Sequence, residues 1–587
     1  MMEQSPKQEM KLKGIPASPG IAIGPVYLYR KHEPTVQVRN IEAEEVNSEI
    51  QRLQSAVARS KKELTKIFEF AQHKLDAEQA RIFEAQTLIL EDSVLFDMVY
   101  ARLRHERKNV EYLLRDEMEK YHRLMANSQD EYARERADDL KDVEDRILRN
   151  MEEQKLVSKI DGSHVIVSHS ISAADALMFS RNEVLAYITE IGGATSHMAL
   201  LARALKIPAV VGVHQIASLS ASNEAVIVDG YDGMVILHPQ PATIKAYEKK
   251  KVHHAEFEET LAALRDLPAE TLDGHRVELS ANIELEEELE FVKFQGADGI
   301  GLYRSESLLL GKEVFPSEEE QYKAYRRIAK AIHPKRVIIR SFDIGGDKLM
   351  AQSIKENNPF LGWRGIRIML DKPQVFLDQL RAILRASTLK NLAILLPMVS
   401  SIKEVRLAKQ LLAQAKDDLR TKNIAFDDKL QLGVMIEVPA AAVIADHMAK
   451  EVDFLSIGTN DLIQYLLAVD RGNDVVSDLF QEFHPAVIRF LRRIIERGQQ
   501  GKVMVGMCGQ MAGDPLATIL LLGLGLDEFS VVPTILPEIK KIIRSIHYTE
   551  AKHVAERVLE MQSEDEIKAY LQRLMKNKFP DILIGGK

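Results

Sequence analysis

From residue 277 onwards one alternation governs the sequence: a short β-branched apolar run, then a stretch of helical periodicity, eight times over. The runs read VELSANI, GIGLYR, RVIIRSFD, AILLPMV, LGVMIE, DFLSIGT, VMVGMC and EFSVV. A strand that returns through a helix to another strand makes a parallel pair, and eight such units in about 320 residues predict a closed (β/α)8 barrel. Barrels of this kind place their chemistry where the strands end, so the residues that terminate the runs are the candidate functional positions.

Upstream the texture differs. Residues 14–29, GIPASPGIAIGPVYLY, alternate small and β-branched residues with Gly and Pro, the pattern of short strands and turns. From Ile41 to about Gln154 Gly and Pro all but vanish, and Ile50, Leu53, Val57, Leu64, Ile67 and Phe68 recur at helical spacing. Strand-like text returns at 165–172, 184–190, 208–213, 225–230 and 234–239, with one helix between Thr195 and Lys206. The expected fold is therefore an α/β multidomain chain. Residues 1–33 and 155–239 form an α/β domain, 34–154 an inserted helical subdomain, and 240–268 a charged helical linker between prolines that serves as a hinge; the barrel occupies 269–587.

The 587 residues exceed one hydrophobic core and call for two to four domains. No apolar run reaches the ~18 residues that span a bilayer, so membrane insertion is not expected. The N-terminus lacks the apolar core of a secretory signal, and the single Cys508 cannot close an internal disulfide, which together suit a cytoplasmic location. A net charge of -9 argues against generic nucleic-acid binding and leaves small anions or proteins as partners.

Two constellations carry chemistry. In GGATSHMALLARALKIPAVVG a double-glycine turn, Gly192 and Gly193, precedes Thr195 or Ser196 as helix cap and sets His197 in the first turn. Exposed N–H groups and the positive helix end disfavour imidazolium there and stabilise a phosphorylated ring. A lone histidine at a helix start is ordinarily only a polar surface residue, and no second ligand at metal spacing follows it. In the barrel the strand ends supply Asn282, Arg304, Arg340, Asp343, Glu437, Asn460, Asp461 and Cys508. Arg304, Arg340 and the later Arg471 are bidentate cations suited to a substrate bearing phosphate and carboxylate. Glu437 and Asp461 are hard oxygen donors for Mg2+. A lone cysteine is more often a small buried hydrophobe, but at a strand end its thiol can donate a proton.

The histidine segment resembles the phosphohistidine signature shared by enzyme I of the bacterial phosphotransferase system, pyruvate phosphate dikinase and phosphoenolpyruvate synthase. GLYRSE, DIGGDK, NPFLGWRGIR, DFLSIGTNDLIQYLLAVDRGND and GMCG resemble the barrel motifs of enzyme I, and the similarity runs over nearly the whole chain. The resemblance implies phosphorylation of His197 by phosphoenolpyruvate, release of pyruvate, and transfer to a histidine of an HPr-type carrier protein, the first step of sugar uptake. It implies that Arg304, Arg340, Asn460, Asp461 and Arg471 hold phosphoenolpyruvate, with Arg364 and Lys348 as further candidates, that Glu437 and Asp461 bind Mg2+, and that Cys508 is the proton donor. It also implies that 77–92 and 134–150 are carrier-binding helices and that the barrels form a homodimer. The sequence departs from the pattern at Ala194, where arginine is usual, and at Gln510, where CGE is frequent. A dikinase or synthase would need a nucleotide-grasp domain, for which the helical N-terminal 150 residues leave no room. A nitrogen-branch paralogue would carry a sensory domain ahead of GIPASPG. A silent phosphoenolpyruvate-binding regulator is the alternative outside catalysis.

Overall fold

The structure is a computed structural model describing residues 8–30, 36–74, 82–126, 131–152, 162–181, 183–193, 196–309, 314–345, 358–473 and 475–583. It divides into two compact units, one reaching to Ala255 and one beginning at Glu256.

Eight strands make one sheet in the first unit: β1 (Met10–Lys13), β2 (Ile15–Ser18), β3 (Ile21–Leu28), β4 (His164–Ser168), β5 (Val184–Thr189), β6 (Ala209–Val211), β7 (Ala225–Asp229) and β8 (Met234–Leu237). Their order is β1-β8-β7-β3-β4-β5-β6-β2, with β3, β4, β5 and β6 mutually parallel. Strand alternation sorts the apolar residues between two cores. Ile166, Tyr187 and Val211 pack with Leu177, Met198 and Leu201 of the helices Ala173–Phe179 and His197–Ala204. Val165, Val167, Ile188 and Val210 pack on the other face with Val226 and Val228. Covered on both sides, these strands read as unbroken apolar runs, which made them legible. Strand β1, MKLK, was not expected; it is an exposed edge strand whose lysines show no apolar run, and it pairs antiparallel with β8.

Between the neighbouring strands β3 and β4 lie the helices Val46–Lys74, Ile82–Leu90, Ser93–Glu106, Val110–Ala126 and Glu131–Met151. The first serves two cores. Leu53, Ala56 and Leu64 join the helical bundle, while Ile67 and Ala71, nearer its end, are buried with the sheet-covering helices. Asp92 caps Ser93–Glu106 by accepting from the N–H groups of Val94 and Leu95 (2.9 and 3.2 Å). The helix Pro241–Ala263 follows the sheet, and Lys250 fastens it to Asp229 and Asp232, each at 2.6 Å.

The second unit is a closed all-parallel barrel of β9 (Glu278–Ile283), β10 (Ile300–Arg304), β11 (Val337–Arg340), β12 (Leu392–Leu396), β13 (Gln431–Ile436), β14 (Phe454–Ile457), β15 (Met504–Met507) and β16 (Glu528–Val531), with β16 pairing back to β9. Each of the eight apolar runs in the sequence supplies one strand. Leu302, Ile338, Ala393, Leu395, Met435, Phe454 and Cys508 pack together in the interior, so the barrel is filled rather than a pore. Among the described residues no helix is long and apolar enough to cross a membrane.

Candidate active site

Arg340, the last residue of β11, is the centre of an ion-pair lattice at the strand ends. Its Nε donates to Glu306 Oε1 (3.1 Å) and its Nη1 lies 3.2 Å from Asp343 Oδ2. Asp343 is also gripped bidentately by Arg364, from Nε (3.1 Å) and Nη2 (2.9 Å), and the same Nη2 reaches Asp461 Oδ2 at 3.0 Å. Burial alone would raise the Asp343 carboxyl, but Arg340 and Arg364 outweigh it and hold it below its ordinary value. Gly365, next to Arg364, has φ +59°, and a Cβ there would stand 3.2 Å from Asp343 Oδ1 and 2.9 Å from Met398. The turn after Arg364 therefore suits glycine.

Glu437 follows β13 and is 1% exposed, its Oε1 accepting the Met398 N–H at 2.5 Å. Burial first, then the charges of Asp343 and Asp461, push its carboxyl well above the usual range. Asp461 stands in the first turn of the helix Thr459–Leu467, and its Oδ1 is buried without a partner among the described residues. Crowded acids with an unspent oxygen fit a divalent cation. Among the described residues no three His, Cys, Asp or Glu side chains gather as a metal site; Mg2+ commonly takes one or two carboxylates and completes its shell with substrate and water.

Cys508 directly follows β15 and is 5% exposed. Ser456 Oγ donates to its sulfur (3.3 Å), and the thiol lies 3.8 Å from the Ile457 carbonyl. Burial pushes the thiol up to about 11. Beside it, Asn282 on β9 donates from Nδ2 to the carbonyls of Cys508 and Ser530, both at 3.0 Å, and accepts from Ser530 Oγ at 2.6 Å. Asn460 Oδ1 accepts the Gln510 main-chain N–H at 2.9 Å. The departure at Gln510 thus leaves this contact intact, because the backbone makes it. A Cβ on Gly509 would meet Thr459 Oγ1 at 1.9 Å and Thr459 N at 2.5 Å. Gly509→Ala must therefore push apart the ends of β14 and β15, which carry Asn460, Asp461 and Cys508. We expect about 1–3 kcal/mol lost in stability and kcat/KM lowered by roughly 10–100-fold, read from a thermal melt and steady-state kinetics.

Not every expected residue joins the lattice. Arg304, the last residue of β10, pairs through Nη1 with Glu284 just beyond β9. Arg471 is exposed in the loop after Thr459–Leu467, where its main-chain N–H donates to Gln464 Oε1 at 3.2 Å. Lys348 lies outside the described residues, as do residues 77–81 of the first carrier-binding stretch. The sequence reading gave no role to Glu306, Ser456 or Tyr465, whose hydroxyl accepts from Arg364 Nη1 at 3.4 Å. The signal for Glu306 was present in GLYRSE, a carboxylate two residues after a strand-end arginine.

In the first unit His197 opens the helix His197–Ala204, and Ser196 caps it by accepting the Ala199 N–H at 3.3 Å. Thr195 and Ala194 lie outside the described residues. Gly192 has φ +127°, and a Cβ on Gly193 would meet nothing within 4 Å among the described residues. Met198 and Leu201 are buried, whereas Leu200 is 42% exposed because the 100° step per residue turns it away from that face.

Three family models match the chain: the PEP-utilising enzyme N-terminal domain over residues 13–136, the PEP-utilising mobile domain over 160–233, and the PEP-binding domain over 258–548. The chain is 40% identical over 571 residues to the phosphoenolpyruvate-protein phosphotransferase of Staphylococcus carnosus, covering 97% of this chain and 99% of that one. It is 40% identical over 570 residues to the protein of the same name from Bacillus subtilis (96% and 100% covered), and 38% over 568 residues to that of Haemophilus influenzae (96% and 99%).

Proposed function

The chain belongs to the phosphoenolpyruvate-protein phosphotransferase family of PEP-utilising enzymes, and from that premise we propose that His197 takes the phosphoryl group of phosphoenolpyruvate, releases pyruvate, and passes the group to a histidine of an HPr-type carrier. The observation that carries the site reading is the strand-end lattice, in which Arg340 and Arg364 are fixed by Glu306, Asp343 and Asp461. Two held guanidinium forks in a buried setting favour a phosphate and a carboxylate on one small molecule.

Each group has a task. Arg304, Arg340, Asn460, Asp461 and Arg471 bind phosphoenolpyruvate, with Arg364 beside them; Arg304 and Arg471 turn inward when substrate enters. Mg2+ would be held by Glu437 and Asp461, and when bound it would neutralise charge on the phosphate, the carboxylate and the enolate. A ring nitrogen of neutral His197 attacks phosphorus: the N–P bond forms and the bond to the enol oxygen breaks. The Cys508 thiol then gives its proton to the methylene carbon, yielding pyruvate, and is reprotonated from solvent. The helix start beneath His197 stabilises the phosphorylated ring until the carrier docks on the helical subdomain. Loading and unloading need His197 at two different partners, so a hinge within 240–268 belongs to this reading. A free thiol suits the cytoplasm, and the barrel surfaces are assigned to a homodimer, which sedimentation with and without ligand tests.

The deciding experiment incubates the chain with labelled phosphoenolpyruvate and Mg2+, then adds candidate carriers. Acid-labile label should appear in step with pyruvate and move to the carrier. Binding without label would make the chain a silent phosphoenolpyruvate-binding protein instead.

Cys508 offers a separate check. A pKa near 11 leaves about a thousandth of the thiol ionised at pH 8, against roughly a quarter for a free cysteine. Iodoacetamide at pH 8 should therefore modify Cys508 at least about a hundredfold more slowly than free cysteine, measured by mass spectrometry. Modification at the free-cysteine rate would remove the basis for a protonated donor.

A further inference from the structure

Two consecutive residues after Arg304 hold Arg340 from opposite ends. Ser305 Oγ donates to the Arg340 carbonyl at 2.6 Å and is steadied by Gln379 Nε2 at 3.1 Å. Glu306 Oε1 accepts from Arg340 Nε at 3.1 Å and from the Asp343 N–H at 2.6 Å. One carboxylate oxygen thus ties the side chain that ends β11 to the main chain three residues later, where Asp343 bridges Arg340 and Arg364. The other oxygen, Oε2, is buried with no partner among the described residues. Such an oxygen is retained at a cost, and a negative charge beside an anion-binding arginine opposes binding by charge alone. What Glu306 supplies must therefore be geometry.

We propose that Glu306 is a positioning residue for substrate recognition: by occupying Arg340 Nε it leaves Nη2 for the substrate's anionic oxygens, and by holding the Asp343 N–H it sets the second fork, Arg364, in the same frame. This rests on the reading of Arg340 as a substrate-binding group. It requires an acceptor oxygen at this place and does not require the charge.

The test compares Glu306→Gln, which keeps an acceptor, with Glu306→Met, which keeps volume alone, each in the native and in the Arg340→Lys background. The readouts are KM for phosphoenolpyruvate, direct binding by calorimetry, and the melting temperature. Methionine should raise KM and Kd by about tenfold or more while glutamine stays within about threefold. A lysine has no Nε fork to orient, so in the Arg340→Lys background methionine should raise KM by clearly less than in the native enzyme, keeping only the part that runs through the Asp343 N–H and Arg364. Equal effects of glutamine and methionine, or a methionine effect undiminished in the Arg340→Lys background, would overturn the inference while leaving Arg340 in its role. An Arg340→Lys enzyme with unchanged KM would overturn the reading of Arg340 and this inference with it. Should Glu306→Met fail to fold, Glu306→Asp carries the test: it keeps the charge but withdraws the oxygen, so a KM rise of about tenfold supports the proposal and an unchanged KM sinks it.

Discussion

His197→Ala takes up no acid-labile label from phosphoenolpyruvate and delivers none to a carrier, while its barrel still binds the substrate with native affinity. The loss is complete because the N–P bond needs the imidazole that opens the helix His197–Ala204, and alanine has no nitrogen with which to form it. The binding half of the expectation follows from the separation of tasks: His197 belongs to the unit that ends at Ala255, whereas Arg340, Arg364, Glu437 and Asp461 belong to the barrel. Titration of the variant with phosphoenolpyruvate and Mg2+ checks the second half, and labelling checks the first. Undiminished label in the variant would refute the nucleophile assignment outright.

Arg340→Ala should be nearly as damaging, and for two reasons at once. The guanidinium that meets the substrate's anionic oxygens disappears, which lowers kcat/KM by roughly a thousandfold where one preorganised donor group to a developing charge is removed. Glu306 and Asp343 are then left facing one another across a buried gap, and stranding a buried charge costs about 3–5 kcal/mol of stability. Arg364 still neutralises Asp343, so the folded state survives with a lowered melting temperature. Kinetics beside calorimetric melting reads both effects. A variant that melts early but retains its KM would mean that Arg340 serves the fold and not the substrate.

The barrel was legible because each strand is buried on both sides and so appears as an apolar run between helical stretches. The interior packing of Leu302, Ile338, Ala393 and Leu395 is the physical cause of that text. The positions of Arg340, Glu437, Asp461 and Cys508 followed from strand ends alone. What did not follow was who pairs with whom. Arg364 comes from a loop after β11 and Asp461 from a helix after β14, and nothing in their spacing of 97 residues announces a 3.0 Å contact. The double duty of Glu306 was hidden for a different reason: a Ser-Glu pair after a strand reads as an ordinary polar turn, and only the parallel pairing of β10 with β11 brings Arg340 beside it. Strand β1 escaped because Met10 and Leu12, alternating with two lysines over only four residues, are too short a pattern to declare a strand.

The insertion between adjacent parallel strands, five helices among the described residues, has one last consequence. A parallel pair needs some crossover, but about a dozen residues suffice for one, so the sheet of the first unit asks for far less chain than β3 and β4 enclose. If the carrier docks on these helices as proposed, trimming that excursion to a single helix, while keeping the turns around Ile67 and Ala71 that roof the sheet, should yield a protein that still takes label from phosphoenolpyruvate yet passes none to the acceptor. Such a half-machine would let the two phosphate hand-offs be timed independently.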